Sequence, residues 1–496
     1  MSQSQILTLE EKKKIIFERI NKIILQNMNS TLKDTTVKIR SYTKEDIRKF
    51  NENPALYQKQ LYEISNYLYI VSSHYRRLIH HFALLPTFDY HIKVFSLNQK
   101  KSNKKMFEQT YYKVSEYLDF MNLKYEIPKI MINCIKNDVF YGYVYETSDT
   151  FFIRKLEPQY CSISSIENGL LVYQFDFSYF NNKKERLQEF GDEFVAKYAL
   201  YEKNKKNNRW QELELKNTCC FKFNDDELVF NIPPFSGVFE SVIELDEYKK
   251  LKLNKEKINN YKVIFEKIPL DTKTGDVDAF LISLDQALTF HGMTETAIAE
   301  NVGLALTPFD ITTVDFKSDT ADSNKTNEAI ESFWNGCGVA SGLMGSDKAN
   351  SGSIIQMSTK NDEAISFKLL RQIEKWINYR LLKFNASDYK FKAEFINSTI
   401  YNISDLVNQY KEMSTYGHPV LTRLNALLGM NGEEVINMNY LETEVLKLNE
   451  KFKPLLNSHV ISGDKKSGRP DNGKVSDSKD KTIESDSNID GNRVKR

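Results

Sequence analysis

An α+β fold is the class this 496-residue sequence predicts, and three observations predict it. Apolar residues recur at helical spacing through 56–85 and again through 358–384. Between them, 140–177 is rich in β-branched and aromatic residues and reads as a run of strands. The helical and strand-like runs are also grouped in blocks. A hydrophobic content of 41%, with 27 Tyr and 31 Phe, supplies a sizeable core, and the length implies about three domains.

Residues 8–27 carry a helical pattern, and a short helix is expected over Ser41–Phe50. Within Leu56–Leu85, the residues Leu61, Ile64, Leu68, Val71, Tyr75, Leu78 and Phe82 trace one helical face, which Pro86 ends. Tyr112–Phe120 and Ile127–Lys136 are further helices. Strands follow at Phe140–Glu146, Phe151–Glu157, Tyr160–Ile166 and Leu170–Phe177, the last two joined by the hairpin signal Asn168-Gly169. A charged helix covers Lys184–Tyr201. Strands at Trp210–Leu215 and Thr218–Phe223 complete a mixed region, 1–234, closed by Pro233-Pro234.

Val238–Asn259 reads as a helix of roughly 33 Å. Its acidic residues Glu240, Glu244, Asp246 and Glu247 precede its lysines, an order that suits the helix dipole and offers pairs such as Glu247 with Lys250. A small α/β module comes next: a strand at Tyr261–Ile268, a helix over Val277–Glu300 capped by Asp276 or Asp278, and an extended run Leu304–Phe316 interrupted at Pro308. A short helix, 324–334, then leads into a loop from Asn335 to Ser353. The loop holds Gly336, Gly338, Gly342, Gly345 and Gly352, five of the chain's 19 glycines, so it is expected to bend or move. The long helix after it presents Phe367, Leu370, Ile373, Ile377, Leu381 and Phe384 on one stripe. A strand at Tyr389–Ile396 and helices at Ser404–Met413, Val420–Leu428 and Glu433–Leu448 follow. From Ile461 the composition is too polar to order itself.

The formal net charge of +1 argues against a protein that grips nucleic acid tightly, but allows one through which nucleic acid slides. The five cysteines show no metal-ligand spacing, and Cys219 and Cys220, adjacent in a strand, should point to opposite faces. Their odd number and the lack of a secretion signal fit a reducing cytosol. No run of about 18 apolar residues exists, so no membrane span is expected. A phosphate-cradle reading of the glycine loop fails, because no Gly-Lys-Ser/Thr occurs and Gly336-x-Gly338 lacks its third glycine. That leaves a plain surface loop or a functional mobile one. His74, His80, His81 and His91 lack a convergent third ligand, and Asp225-Asp226-Glu227 reads as the turn after 218–223. No nucleophile triad is found. No catalytic residue, metal ligand or cofactor is therefore assigned. The lysines of Lys101–Lys105 and Lys203–Lys206 read as solvated faces.

Four stretches, in order, carry a resemblance: Tyr69–Ile79 running to Leu85–Tyr90; Gln174–Phe180; Lys262–Leu270 followed by Asn301–Asp310; and Pro454–His459 leading to Gly468-Arg469-Pro470. With the helix–module–helix–loop–helix order, the chain resembles the portal proteins of long-tailed double-stranded DNA bacteriophages, of the Gram-positive-host type. The resemblance implies a non-enzymatic virion protein, assembled in the host cytoplasm. It would form a ring of usually twelve copies at one capsid vertex, through which DNA is packaged and ejected. Implied partners are the major capsid protein, the terminase large subunit, a head-completion adaptor and the duplex in the channel, with no membrane.

The same resemblance implies a wing at 1–234 joined by the helix and strand of 358–399, a stem at 235–259 and 324–334, a clip at 260–323, a tunnel loop at 335–357, a crown at 400–460 and a polar tail at 461–496. Gly342, Met344, Gly345, Ser346, Lys348, Asn350 and Ser351 would then face DNA. Glu244, Glu247, Lys250 and Lys255 would lie in the stem, and Lys267, Thr272, Lys273 and Asp276 in the clip. Twelve helices side by side at 8–10 Å leave a bore of roughly 20–28 Å, enough for a duplex. The competing expectations are a nucleic-acid-processing enzyme with a mobile active-site loop and another structural head–tail connector.

Overall fold

The computed structural model describes residues 42–245, 247, 262–267, 269, 281–297, 302–307, 314–315, 322–344 and 352–452. The helix expected over 8–27 and the tail 461–496 lie outside them. The chain divides into two compact units, Met1–Val435 and Ile436–Arg496. The first is a mixed α+β body.

That body opens with α1 (Lys44–Glu52), whose start is a capping box. The Thr43 hydroxyl accepts the Asp46 N–H, and the Asp46 carboxylate accepts the Thr43 N–H. The single helix expected over Leu56–Leu85 is two: α2 (Gln58–Val71) and α3 (Ser73–Ala83). The break falls at Ser72, which turns extended and caps α3 by accepting the Tyr75 N–H. Arg76 reaches back to the freed carbonyls of Tyr69, at 2.9 Å, and Ile70. Backbone groups exposed by the break thereby regain partners.

Next come β1 (Tyr90–Leu97), α4 (Lys104–Phe120) and α5 (Leu123–Asn137). The strand block follows as β2 (Val139–Glu146), β3 (Phe151–Lys155), β4 (Cys161–Glu167) and β5 (Leu170–Asp176). The turn between β4 and β5 has Asn168 and Gly169 both at positive φ, 53° and 72°, as a two-residue primed hairpin requires. The helix expected over Lys184–Tyr201 is broken at Gly191 (φ 93°), leaving a 3₁₀ stretch, Lys184–Phe190, and α6 (Asp192–Lys203). Two short strands, β6 (Trp210–Glu212) and β7 (Thr218–Lys222), complete two three-stranded antiparallel sheets, ordered β3-β2-β7 and β4-β5-β6.

Strand alternation sends β2 and β7 into two different cores. Phe140, Val144, Cys219 and Phe221 join the main core with α2, α3 and α5. Tyr141, Tyr143 and Cys220 join a second, aromatic core with Tyr173, Phe175, Phe180 and Phe194. Cys219 and Cys220 thus do point to opposite faces. At Gly142 a Cβ would lie 2.5 Å from the Cys219 sulfur, so only glycine fits between the strands.

The long helix, α7 (Gly352–Leu381), begins at 352 rather than 358 and spans 30 residues. Leu370, Ile373, Ile377 and Leu381 of the expected stripe are buried, while Phe367 and Phe384 are half-buried against the same core. Its flanks close two sheet edges. The Gln372 amide pairs with both backbone groups of Lys222 at the open edge of β7, 3.1 and 2.8 Å, and Trp376 donates to the Thr218 carbonyl at 2.9 Å. The Asn378 amide does the same for Ala393 on β8 (Tyr389–Phe395), 2.8 and 2.9 Å. A helix side chain thus replaces a missing neighbouring strand. Gln372→Leu should cost about 2–4 kcal/mol, because it leaves a buried N–H and C=O without partners. A shift of the urea midpoint worth less than 1 kcal/mol at unchanged m-value would refute this.

After β8, which pairs antiparallel with β1, come α8 (Ile403–Thr415) and α9 (Leu421–Leu427). These helices share a core of only Ile396, Ala426 and Leu427 as fully buried residues. The helix Gly432–Tyr440 crosses into the second unit, whose described elements are a π-helical turn, Leu441–Val445, and a short helix, Leu448–Lys451.

Candidate functional site

The expected stem, clip and loop residues fall on the segment between the aromatic core and α7. A helix described over 239–245 packs Phe239, Val242 and Leu245 into the main core. Its acidic half docks on α1. Glu244 and Glu247 pair with Lys44 at 3.5 and 2.7 Å, and Arg48 donates to Glu240. The Glu240 carboxyl is held below its ordinary value by that Arg48 hydrogen bond. Glu247 thus has a cation on α1, and the expected pairing with Lys250 falls outside the described residues. Lys250 and Lys255 lie outside the described residues.

The small α/β module is a βαβ unit. Lys262–Lys267 and Val302–Thr307 are parallel strands, Leu284–Ala297 is the helix between them, and Val314–Asp315 adds an antiparallel edge. The helix starts at Leu284, past both Asp276 and Asp278, the residues expected to cap it; Ser283 caps it instead, its hydroxyl accepting the Gln286 N–H at 3.3 Å. Lys267 is exposed on the first strand. Thr272, Lys273 and Asp276 lie outside the described residues.

The glycine-rich loop is shorter than expected. The helix before it, Asp322–Gly336, takes in Asn335 and Gly336. It stops in a Schellman motif: Val339 N–H donates to the Trp334 carbonyl, Gly338 N–H donates to that of Asn335 (both 3.1 Å), and Gly338 has φ 73°. Phe333, Trp334, Cys337 and Val339 are buried in the main core. A 3₁₀ turn, Ser341–Met344, follows, with Leu343 and Met344 packed against that core. The Ala340 N–H donates to Ser358 Oγ on α7 at 3.2 Å. Gly338 is thus a helix stop, and Gly342 and Met344 sit half-buried on the body. Gly345, Ser346, Lys348, Asn350 and Ser351 lie outside the described residues. Of 335–357, only 345–351 is left unassigned to the body or to α7.

The histidines have structural partners. His81 meets Asp362 of α7 at 2.8 Å, both buried, and His80 meets the Tyr69 hydroxyl at 2.8 Å. His91 belongs to a clasp that the sequence did not reveal. On β8, Glu394 lies directly across from His91 and accepts from His91 (2.8 Å), Lys93 (3.0 Å) and Arg423 of α9 (3.0 Å). Burial pushes the Glu394 carboxyl up, but the hydrogen bonds from Lys93, Arg423 and His91 outweigh it and hold it at about 2. Burial lowers His91 below its ordinary 6.5, with Glu394 opposing and Arg423 assisting.

Both shifts give acid sensitivity. The unfolded chain binds the His91 proton more readily, so that contribution is lost as pH falls below 6.5. The Glu394 contribution is lost as pH falls from 4.5 toward about 2. Amide exchange in α9 should therefore speed up on acidification from pH 7 to 3, and less so in Glu394→Gln. Exchange independent of pH, after correction for intrinsic rates, would contradict the clasp.

An open cleft of 1020 Å³ lies at the end of α7, lined by Tyr117, Glu146, Glu193, Arg380 and Lys383 among others. Within it Glu146 accepts from Tyr117, Arg380 and Lys383, and Glu193 from Tyr143. Among the described residues, no group of three or more His, Cys, Asp or Glu side chains is placed to hold a metal ion. No helix among them is long and apolar enough to cross a membrane.

No family model matches the chain. Over 473 residues it is 22% identical to the SPbeta prophage-derived uncharacterized protein YonE of Bacillus subtilis (strain 168), a match covering 89% of each chain. Among solved structures it is similar to a chain from the neck of an empty GTA particle (TM-score 0.40) and to one from the virion of a native gene transfer agent particle (TM-score 0.39). Each is 11% identical and covers 75% of this chain and 93% of its own.

Proposed function

We propose that this chain is a portal subunit: a non-enzymatic virion protein whose copies form a ring around a channel for double-stranded DNA. The observation that carries the reading is apolar surface that the described residues of the first unit leave exposed. Ile400, Tyr401, Tyr416, Leu421 and Leu428 are exposed on and beside α8 and α9, whose core cluster has Ile396, Ala426 and Leu427 as its buried residues. Such a surface calls for self-association. The order of sequence stretches shared with phage portal proteins and the prophage origin of the 22%-identical relative support the same reading. In it, 239–245 and Asp322–Gly336 belong to the stem, the βαβ unit is the clip that meets terminase and then the adaptor, and 345–351 faces the DNA. The helices from Ile403 onward form the crown. The ring takes its place at a capsid vertex, against the major capsid protein.

Mass in solution tests this. Twelve copies of the 57.8 kDa chain weigh about 690 kDa, and negative-stain images should show rings with a central hole. A species that stays at 57.8 kDa at tens of micromolar, or one that cuts DNA, would overturn the reading.

A further inference from the structure

We propose that the outer face and tip of the β1–β8 ribbon form a second nucleic-acid contact, one that binds the phosphodiester backbone. The ribbon lies apart from 345–351 in the sequence and in the proposed division of the chain, and the inference does not depend on ring formation.

The two strands sort their residues by face. On β8, Tyr389, Phe391, Ala393 and Phe395 point into the core, leaving Lys390, Lys392 and Glu394 outward. The register places Lys93 of β1 directly across from Lys392, and Ser96 across from Lys390. Like charges directly opposite each other destabilise a strand pair. Lys93 is relieved by Glu394, but that carboxylate is already shared with His91 and Arg423. Lys392 has no carboxylate among the described residues; its ammonium sits 3.8 Å from the ring centroid of Phe95, an aromatic residue that is 58% exposed. The ring face holds the cation at the surface without neutralising it.

The tip adds further lysines beside the carboxylate of half-buried Asp388. The Asn98 N–H donates to the Asp388 carbonyl at 2.7 Å, which fixes the turn after β1 to the start of β8. Between Phe95 and Phe107 there is no acidic residue, and Lys100, Lys101, Lys104 and Lys105 are all exposed. Lys104 and Lys105 occupy the first turn of α4, where cations oppose the helix dipole and where acidic residues are absent. Phe107 packs on Tyr389 and Phe391, at 5.3 and 5.0 Å between centroids, so this helix start is anchored beneath the ribbon.

On a chain with a formal net charge of only +1, two separate elements thus accept unfavourable cation placements at one end of one ribbon. An anionic partner relieves both. A repeating phosphate backbone matches cations spread over a strand face and a loop better than a single small anion does. Read along the sequence, the Lys101–Lys105 run is only a solvated face; it gains a partner surface when the fold brings Lys390 and Lys392 to it.

The test is anisotropy of a labelled duplex of about 30 base pairs titrated with the full chain from about 50 to 200 mM salt. Lys390→Gln with Lys392→Gln, and separately the four tip lysines changed to Gln, should each weaken binding about tenfold at roughly 100 mM salt. Each set should also lower the salt slope by about 0.9 for every phosphate that no longer meets a lysine. Changing the exposed run Lys203, Lys205 and Lys206 to Gln should alter affinity less than about twofold, as for a solvated face. The substituted side chains are exposed or half-buried, so unchanged thermal melting will certify folding. Equal weakening by the Lys203 set would overturn the proposal. So would competition by polyglutamate as effective as by unlabelled duplex, since the face would then suit an acidic protein. A fall in assembled mass in the ribbon variants would also overturn it, making the ribbon a copy-to-copy contact. The duplex is read on the chain whatever its mass, so failure to form rings leaves this outcome separate.

Discussion

Lys222→Met is expected to destabilise the body by about 3–5 kcal/mol, the cost of leaving one member of a buried ion pair behind. Lys222 and Asp138 form such a pair, with side chains 0% and 1% exposed. Lys222 also donates to the Phe230 carbonyl at 2.8 Å and to Asn231 Oδ1 at 3.2 Å, while Asp138 accepts the Asn224 N–H at 3.0 Å. The pair thereby ties the segment after β7 to the end of α5, where Asp138 takes a positive φ of 71°. Burial raises the Asp138 carboxyl against the pull of Lys222. Without Lys222 it rises further, the folded state then binds protons more readily than the unfolded one, and stability falls as pH rises. The loss should therefore be smaller at pH 5 than at pH 8. Lys222→Met combined with Asp138→Asn should recover part of it, because no buried charge remains. Denaturant unfolding of the four proteins at two pH values checks this; additive losses, or a loss independent of pH, would refute the account.

The Lys222 pair also shows where sequence reading stops. A lysine inside the run Thr218–Phe223 carries no mark of its partner 84 residues earlier. Strand alternation was legible, so Cys219 and Cys220 fall on opposite faces as expected, and the Asn168-Gly169 hairpin follows from local backbone chemistry alone. The break at Ser72 was not, because Leu68 and Tyr75 are seven residues apart and keep one helical phase across it. Gln372 and Asn378 look like ordinary polar flank residues on a helix. Their role exists only because two sheet edges arrive beside them. For the loop, glycine count was a poor guide to compliance, since Gly338 is spent on stopping a helix.

The helix stop at Gly338 changes which deletion tests the channel reading. Removing 339–352 would take out Val339, which is 2% exposed in the main core, together with the Ala340 N–H to Ser358 hydrogen bond. Loss of ring or fold in that variant would say nothing about DNA. Shortening only 345–351 by four residues leaves the Schellman stop and the 3₁₀ turn in place. The shortened chain should assemble to the same mass, with stability changed by less than about 0.5 kcal/mol, the range of surface changes away from such features. Packaging or retention of DNA should fall more than tenfold if 345–351 is what each subunit presents to the duplex. Lys348→Ala alone should leave assembly intact. The wider deletion should instead unfold more easily, through the loss of buried Val339. If the shortened chain assembles, packages and retains DNA as the parent does, 345–351 is not the DNA-facing segment, and the channel surface must lie elsewhere on the ring.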